Sequence, residues 1–286
     1  MDGVGELRCK SALHYHNSKW LPYKYDINVY RGCSHRCVYC YARYSHDYID
    51  GGSFFGNIYA KVNIADVLAQ ELKTFNPEPV NLGGVCDSYQ HAERDYKIMP
   101  EVLKQLKKHN VPIVLSTKST LVLRDIDILK EMDARVAFTV TTMDETVAGL
   151  IEPGAPPPKE RIAALRQLKK AGIKIGVHMM PIIPYLTSDM ESMEAVYKAA
   201  KAIGAGYVLA GAVNLKGSTR KGFFDSIRES FPYEYGKINS LYRDRREYKH
   251  YKDRLRHNLI SLKTKYKMEG YGELPAPAEP EQLSFL

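Results

Sequence analysis

From Asp26 to Ala212, short runs of β-branched and apolar residues alternate with stretches whose apolar positions recur at helical spacing. The strand-like runs are Asp26–Arg31, Val80–Cys86, Val111–Thr117, Arg135–Thr141, Ile173–Met179 and Ala205–Gly211. Each is mostly apolar on both faces, the pattern of parallel strands covered by helices. Helical patterns fall between them near Ile64–Phe75, Met99–His109, Leu121–Met132, Lys159–Ala171 and Asp189–Ile203. Pro100 suits a first helical turn and Gly172 a helix end. Six strands with five intervening helices predict an α/β fold built from a repeated βα unit. A partial (β/α)6 TIM-type barrel is favoured over a doubly wound sheet, although spacing alone does not separate the two.

After Ala212 the pattern changes. Phe223–Phe231 reads as a short helix, and a longer one runs from about Gly236 to Lys267. The longer helix carries an apolar stripe of Leu241, Tyr248, Tyr251, Leu255, Leu259, Leu262 and Tyr266, which should face a core. The last stretch is rich in Pro, Ala and Glu and reads as a flexible tail. The expected organisation is an N-terminal arm over 1–25, a barrel core over 26–212, a basic helical extension over 213–270 and a tail over 271–286.

Composition adds three constraints. With 44% hydrophobic and 26% charged residues in a chain of 286, a sizeable core is available. No apolar run reaches the roughly 18 residues that span a bilayer, and Met1–Lys10 lacks the basic-then-apolar pattern of a secretory signal. A soluble cytoplasmic protein without a membrane partner is expected. The net charge of +8 is concentrated: Lys237–Lys267 holds eleven Lys and Arg against three acids, a surplus equal to that of the whole chain. Such a face suits a polyanion such as DNA or RNA, or is simply a solvated helix surface.

The five cysteines are odd in number and unevenly placed, which argues for metal binding over a disulfide framework. Cys33, Cys37 and Cys40 lie in one loop directly after the first predicted strand, in C-x3-C-x2-C spacing. One short loop so spaced can hold three irons of a [4Fe–4S] cluster, leaving the fourth open to a ligand. A zinc site completed by His35 or His46 is the competing reading, but zinc sites use paired C-x2-C elements and no second pair is present.

The string Asn28-Val29-Tyr30-Arg31-Gly32-Cys33-Ser34-His35-Arg36-Cys37-Val38-Tyr39-Cys40-Tyr41-Ala42-Arg43 resembles the signature of the radical S-adenosylmethionine superfamily, and within it the spore photoproduct lyase-like branch labelled "DNA repair photolyase". The resemblance spans roughly residues 10–235. It continues through Cys86-Asp87-Ser88-Tyr89-Gln90 with Glu93, Thr117-Lys118-Ser119, Leu121–Asp125, Glu152-Pro153 to Arg161, and Pro181–Pro184. It implies an enzyme that reductively cleaves S-adenosylmethionine at a [4Fe–4S] cluster to a 5′-deoxyadenosyl radical, drawing on a low-potential flavodoxin- or ferredoxin-type donor. The metal ligands it implies are Cys33, Cys37 and Cys40.

The same resemblance suggests which residues hold the cofactor. Tyr39 is similar to the aromatic that meets adenine. Asp87 and Ser88 stand near the place where relatives bind the methionine amine, the choice between them being open. Lys118, Thr139 and Thr141, and Arg161 are candidates for the carboxylate or ribose. Cys86 matches the position of a hydrogen-atom donor in spore photoproduct lyase. The expected substrate is nucleic acid, with Arg243, Arg245, Arg246, Lys249, Lys252, Arg254 and Arg256 beside Tyr242, Tyr248 and Tyr251 as the contact surface. A small metabolite or peptide is the alternative. Gln282–Leu286 resembles the short motif by which bacterial proteins dock on the replication sliding clamp, with its final pair inverted.

Overall fold

The computed structural model describes residues 3–18, 21–46, 53–215 and 217–269. The sliding-clamp motif therefore lies outside the described residues. The chain order is β1 (Gly5–Leu7), β2 (His14–Tyr15), β3 (Tyr25–Ile27), β4 (Tyr30–Arg31), β5 (Tyr59–Lys61), α1 (Ile64–Glu71), β6 (Val80–Leu82), α2 (Glu93–Tyr96), α3 (Ile98–Lys108), β7 (Ile113–Thr117), α4 (Ile126–Leu129), β8 (Ala134–Thr139), α5 (Glu145–Ile151), α6 (Pro158–Lys170), β9 (Lys174–Ile182), α7 (Met190–Ala202), β10 (Tyr207–Ala212), α8 (Gly217–Ser230), α9 (Pro232–Arg243) and α10 (Arg245–Tyr266).

The main sheet runs β10-β9-β8-β7-β6-β3-β2, parallel throughout except for the β2–β3 pair. Its six parallel strands follow chain order without reversal. A doubly wound sheet would reverse at a switch point, so this is the partial (β/α)6 barrel. Because all six strands point the same way, the segments after Ile27, Leu82, Thr117, Thr139, Ile182 and Ala212 gather on one face, where barrel sites form. Residues such as Ile27, Leu82, Leu115, Val136, Phe138 and Val177 are fully buried, accounting for their two-sided apolar pattern.

Differences from the sequence reading have local causes. The expected strand Asp26–Arg31 splits, because Tyr30 and Arg31 leave the main sheet and pair antiparallel with Ala60 and Tyr59 in a second sheet, β1-β5-β4. The expected Val80–Cys86 stops at Leu82, since Gly83 turns the chain at φ 92°; a Cβ there would lie 2.6 Å from the Ser116 carbonyl. Leu121–Met132 is not one helix. A 3-10 turn over Thr120–Asp125 precedes α4, and Asp125 is drawn inside by Arg124 and by the Tyr89 hydroxyl at 2.9 Å. Helix α5 was not anticipated. The long C-terminal helix breaks at Asp244, whose carboxylate accepts from the N–H groups of Arg246 and Glu247 and starts α10.

Two apolar clusters result. The larger joins the strands to α1, α3, α6, α7 and the α10 stripe, with Leu241, Tyr251, Leu255 and Leu262 buried as expected. The smaller links Cys37, Val38 and Tyr39 to Ile151, Ile183, Val213 and Phe223, Ile227 and Phe231, so α8 packs beneath the cysteine loop. Thr219 of α8 reaches the carbonyls of Cys40 and Tyr41 at 3.3 and 3.2 Å. Among the described residues no helix is long and apolar enough to cross a membrane.

Candidate radical S-adenosylmethionine site

The cysteine loop follows β4 and is clamped from three sides. Its first half is held by Gln90, which accepts from the Ser34 N–H at 2.8 Å and donates to the Gly32 carbonyl at 3.0 Å. Its middle is held by Gly154, whose carbonyl bonds His35 Nδ1 at 2.9 Å and whose N–H donates to the His35 carbonyl at 3.0 Å. A side chain at 154 cannot be accommodated: its Cβ would sit 2.1 Å from the Ser34 carbonyl. Its end is held by α5, where the Ile151 carbonyl accepts from the Val38 N–H at 2.9 Å, and by Thr219.

Asp87 joins this loop to the sheet. One carboxylate oxygen accepts from the Thr117 hydroxyl at 2.7 Å and the Tyr89 N–H at 2.9 Å. The other accepts from the Lys118 N–H at 2.7 Å and meets His35 Nε2 at 2.9 Å. Burial alone would raise this carboxyl's pKa. The His35 ring, and then the Lys118 N–H and the Thr117 hydroxyl, overcome that and hold it well below the ordinary carboxylate range. Ser88 differs: its hydroxyl is fully buried and, among the described residues, has no hydrogen-bond partner.

A second polar group lies under Tyr39. Glu152 is fully buried and accepts from the Tyr39 hydroxyl, from Thr141 Oγ1 at 3.3 Å and from Arg161 at 2.5 Å. The Arg161 guanidinium, also buried, donates to the carbonyls of Thr139 at 2.9 Å and Pro156 at 2.6 Å. Lys118 lies with its ammonium 5.7 Å from the centre of the Tyr39 ring, and it is half-buried. Burial lowers its pKa, but the acidic groups around it, Cys37 when ionised and the Glu152 carboxylate at neutral pH, outweigh that and raise it.

The three thiols are neutral by themselves. Burial is the leading cause in each case: it lifts Cys33 well above an ordinary thiol, Cys37 to about 12, and Cys40 in the same direction. Thiolates in this setting need compensating positive charge, which a metal centre supplies. Together with the unpartnered Ser88 hydroxyl and the charged Lys118, this donor set fits an iron–sulfur centre with a polar ligand beside it. Among the described residues no three His, Cys, Asp or Glu side chains form a single-ion site.

The sequence-derived candidates thus fall into three groups. Cys33, Cys37, Cys40, Tyr39, Asp87, Ser88 and Lys118 share the loop and its two flanking strand ends. Thr139 and Arg161 sit beside them under Tyr39, Arg161 already paired with Glu152. Cys86 is buried next to Asp87, its thiol donating to the Tyr30 carbonyl at 3.2 Å, with burial pushing its pKa to about 12. Glu152 emerges as a site residue only from the fold, although its chemistry is visible in the sequence as an acid nine positions before Arg161. In the sequence His35 reads only as a zinc ligand, whereas in the fold it pairs with Asp87.

His178 lies on β9 beside Thr139 in register. Burial foremost, and then the Lys118 charge, push its pKa down to about 4. Unfolding returns the ring to about 6.5, so the neutral folded form is favoured above that value and the protein loses stability as pH falls from 6.5 toward 4. His178→Gln is expected to flatten the fall of Tm between pH 7 and pH 5, read by thermal unfolding; an identical fall in both proteins would contradict this.

A three-thiol loop at the C-terminal face of a (β/α)6 barrel defines a class, and comparison with known proteins agrees with it. The sequence model of the Radical SAM superfamily matches residues 27–220, and this chain belongs to that superfamily. It is accordingly an enzyme that works with S-adenosylmethionine and an iron–sulfur cluster. An uncharacterised protein of Mycobacterium tuberculosis is 35% identical over 98% of this chain and 86% of its own length. An uncharacterised protein of Methanocaldococcus jannaschii is 34% identical over 57% of this chain and 62% of its own. Among solved structures, spore photoproduct lyase complexed with dinucleoside spore photoproduct superposes with a TM-score of 0.61 at 16% identity, covering 80% of this chain and 66% of that one. That likeness is one of fold.

Proposed function

We propose that Cys33, Cys37 and Cys40 ligate a [4Fe–4S] cluster and that the enzyme acts on nucleic acid, as repair or modification. When bound, such a cluster would supply the one electron needed for reductive cleavage of S-adenosylmethionine. The residues of this chain orient and shield that chemistry. Ser88 offers the cofactor an unmet hydrogen-bonding group, whereas both oxygens of Asp87 are already engaged. Asp87 then serves as the strut that fixes the cysteine loop through His35. Lys118 offers positive charge to the methionine carboxylate, and the Glu152–Arg161 pair fixes the Tyr39 ring against which adenine would lie. Thr139, whose carbonyl accepts from Arg161, is the candidate ribose partner. Cys86 is a buried, protonated thiol and a candidate hydrogen-atom donor. Its thiol faces the Tyr30 carbonyl, so donation would require it to turn. A low-potential flavodoxin- or ferredoxin-type protein would reduce the cluster, and five free cysteines support a cytoplasmic setting.

The observation that carries the nucleic-acid reading is α10 with its N-terminal flank. Arg243, Arg245, Arg246, Lys249, Lys252, Arg254 and Arg256 are all exposed, and among the described residues none of them is in an ion pair. The tyrosines expected to interleave with them pack mainly on one another: Tyr242 meets Tyr248 at 4.8 Å with tilted rings, Tyr248 stacks on Tyr251 at 6.2 Å, Tyr251 is buried, and Lys252 lies 5.1 Å over the partly buried Tyr248 ring. This helix therefore presents phosphate contacts more than base contacts. Binding of DNA or RNA by the holoenzyme should weaken steeply with added salt. Charge reversal of Arg245, Arg246, Lys249 and Lys252 together should reduce it at least ~100-fold at low salt. Salt-independent absence of binding would favour a small metabolite or peptide substrate.

A further inference from the structure

We infer that the cleft between the loop after β9 and the helix α10 is a binding pocket for one unpaired nucleotide of the substrate strand. This rests on the nucleic-acid reading and extends it. The cleft has a volume of about 490 Å³, within the range of small-ligand sites. One wall is the β9–α7 loop with Tyr185 and Ser188, and the other is α10 with Tyr251, Arg254, His257 and Asn258.

Three observations favour a nucleotide. Tyr185 exposes about half its surface (52%) at φ 63°, a left-handed conformation that a tyrosine adopts at a cost. Its backbone is held there by the Ser188 hydroxyl, which accepts from the Tyr185 N–H at 3.0 Å. An exposed ring on a fixed loop is a platform on which any base can stack. Second, the Tyr251 hydroxyl lines the cleft in a residue only 8% exposed. It faces the Ser188 hydroxyl, which favours its oxygen as an acceptor, and among the described residues its own O–H meets no acceptor, so it retains a donor for a ligand. Third, Arg254 brings a cation that is in no ion pair among the described residues, while Asn258 and the rim carboxylate of Asp253 supply the mixed donors and acceptors that a base edge needs.

The position is suited to a substrate subsite. Ile183 and Leu186, flanking Tyr185, pack in the same apolar cluster as Cys37, Val38 and Tyr39. A nucleotide held against Tyr185 would lie on the strand-end face that carries the cysteine loop. Tyr185 also supplies the exposed aromatic face that Tyr242, Tyr248 and Tyr251 do not.

The test is anisotropy of a labelled single-stranded oligonucleotide titrated with holoenzyme. Tyr185→Asn removes the ring and keeps a residue that tolerates the left-handed backbone. It should weaken binding about ten-fold without changing the salt slope. Arg254→Gln should weaken binding and lower the slope by about one. With an oligonucleotide of abasic sites, wild type and Tyr185→Asn should bind equally. Unchanged thermal unfolding of the variants shows that folding is intact, and Tyr251→Phe provides a second variant that preserves packing. If the wild type binds the oligonucleotide and Tyr185→Asn binds it equally, the pocket assignment fails while the nucleic-acid reading stands. If the wild type binds no nucleic acid, both fail.

Discussion

Alanine at Cys33, Cys37 or Cys40 is expected to abolish the visible absorbance and at least most of the bound iron of the anaerobically reconstituted protein, while Cys9→Ala changes neither. The contrast follows from placement. The three loop thiols share one backbone segment pinned by Gln90, Gly154, Ile151 and Thr219, so their spacing is fixed before any metal arrives. Cys9 lies in the N-terminal arm, where its N–H and carbonyl are both taken by the Asn63 side chain. Cys86→Ala should also retain the cluster, because its thiol faces the Tyr30 carbonyl. Iron retained by Cys37→Ala, or lost with Cys9→Ala, would show that the ligand set is a different one.

Removing either member of the Glu152–Arg161 pair should destabilise the fold by about 3–5 kcal/mol, the usual cost of leaving one buried charge without its partner. Both side chains are at most 1% exposed, and Glu152 gathers Tyr39 and Thr141 as well as Arg161. Arg161→Lys should not restore the loss, since the guanidinium reaches Glu152 and the carbonyls of Thr139 and Pro156 at once. The pH dependence has a definite sign. Burial raises the Glu152 pKa, but Arg161 and then Lys118 bring it below the ordinary value of 4.5. The contribution of the pair is therefore complete above 4.5 and lost as pH falls through the lower folded value. Denaturant unfolding at pH 7 and in mild acid reads both effects. A loss under 1 kcal/mol for Glu152→Gln and Arg161→Leu would mean that the pair is idle.

The barrel strands were legible because they are buried on both faces, and that burial writes an uninterrupted apolar run into the sequence. Their ends were less so: Val80–Cys86 reads as one strand until the close approach of the Ser116 carbonyl at Gly83 is seen. The break between α9 and α10 had a local signal in Asp244 followed three residues later by Glu247, a capping pattern. The continuous apolar stripe across it concealed the break. Among site residues, the cysteines announced themselves by spacing, since iron ligation imposes a short repeat. The His35–Asp87 and Glu152–Arg161 pairs did not, because each joins segments separated in sequence or carries no repeating pattern. Only the fold shows that Asp87 is saturated with donors and that Ser88 is not.

The central claim is that this chain carries S-adenosylmethionine cleavage on a cluster held by the Cys33–Cys40 loop. Its most direct test is to reconstitute the protein anaerobically, add dithionite and S-adenosylmethionine, and quantify 5′-deoxyadenosine. Formation of 5′-deoxyadenosine by the wild type and its absence with Cys37→Ala is the predicted result. A fully iron-loaded wild-type protein that yields none, with or without DNA or RNA present, would contradict the account.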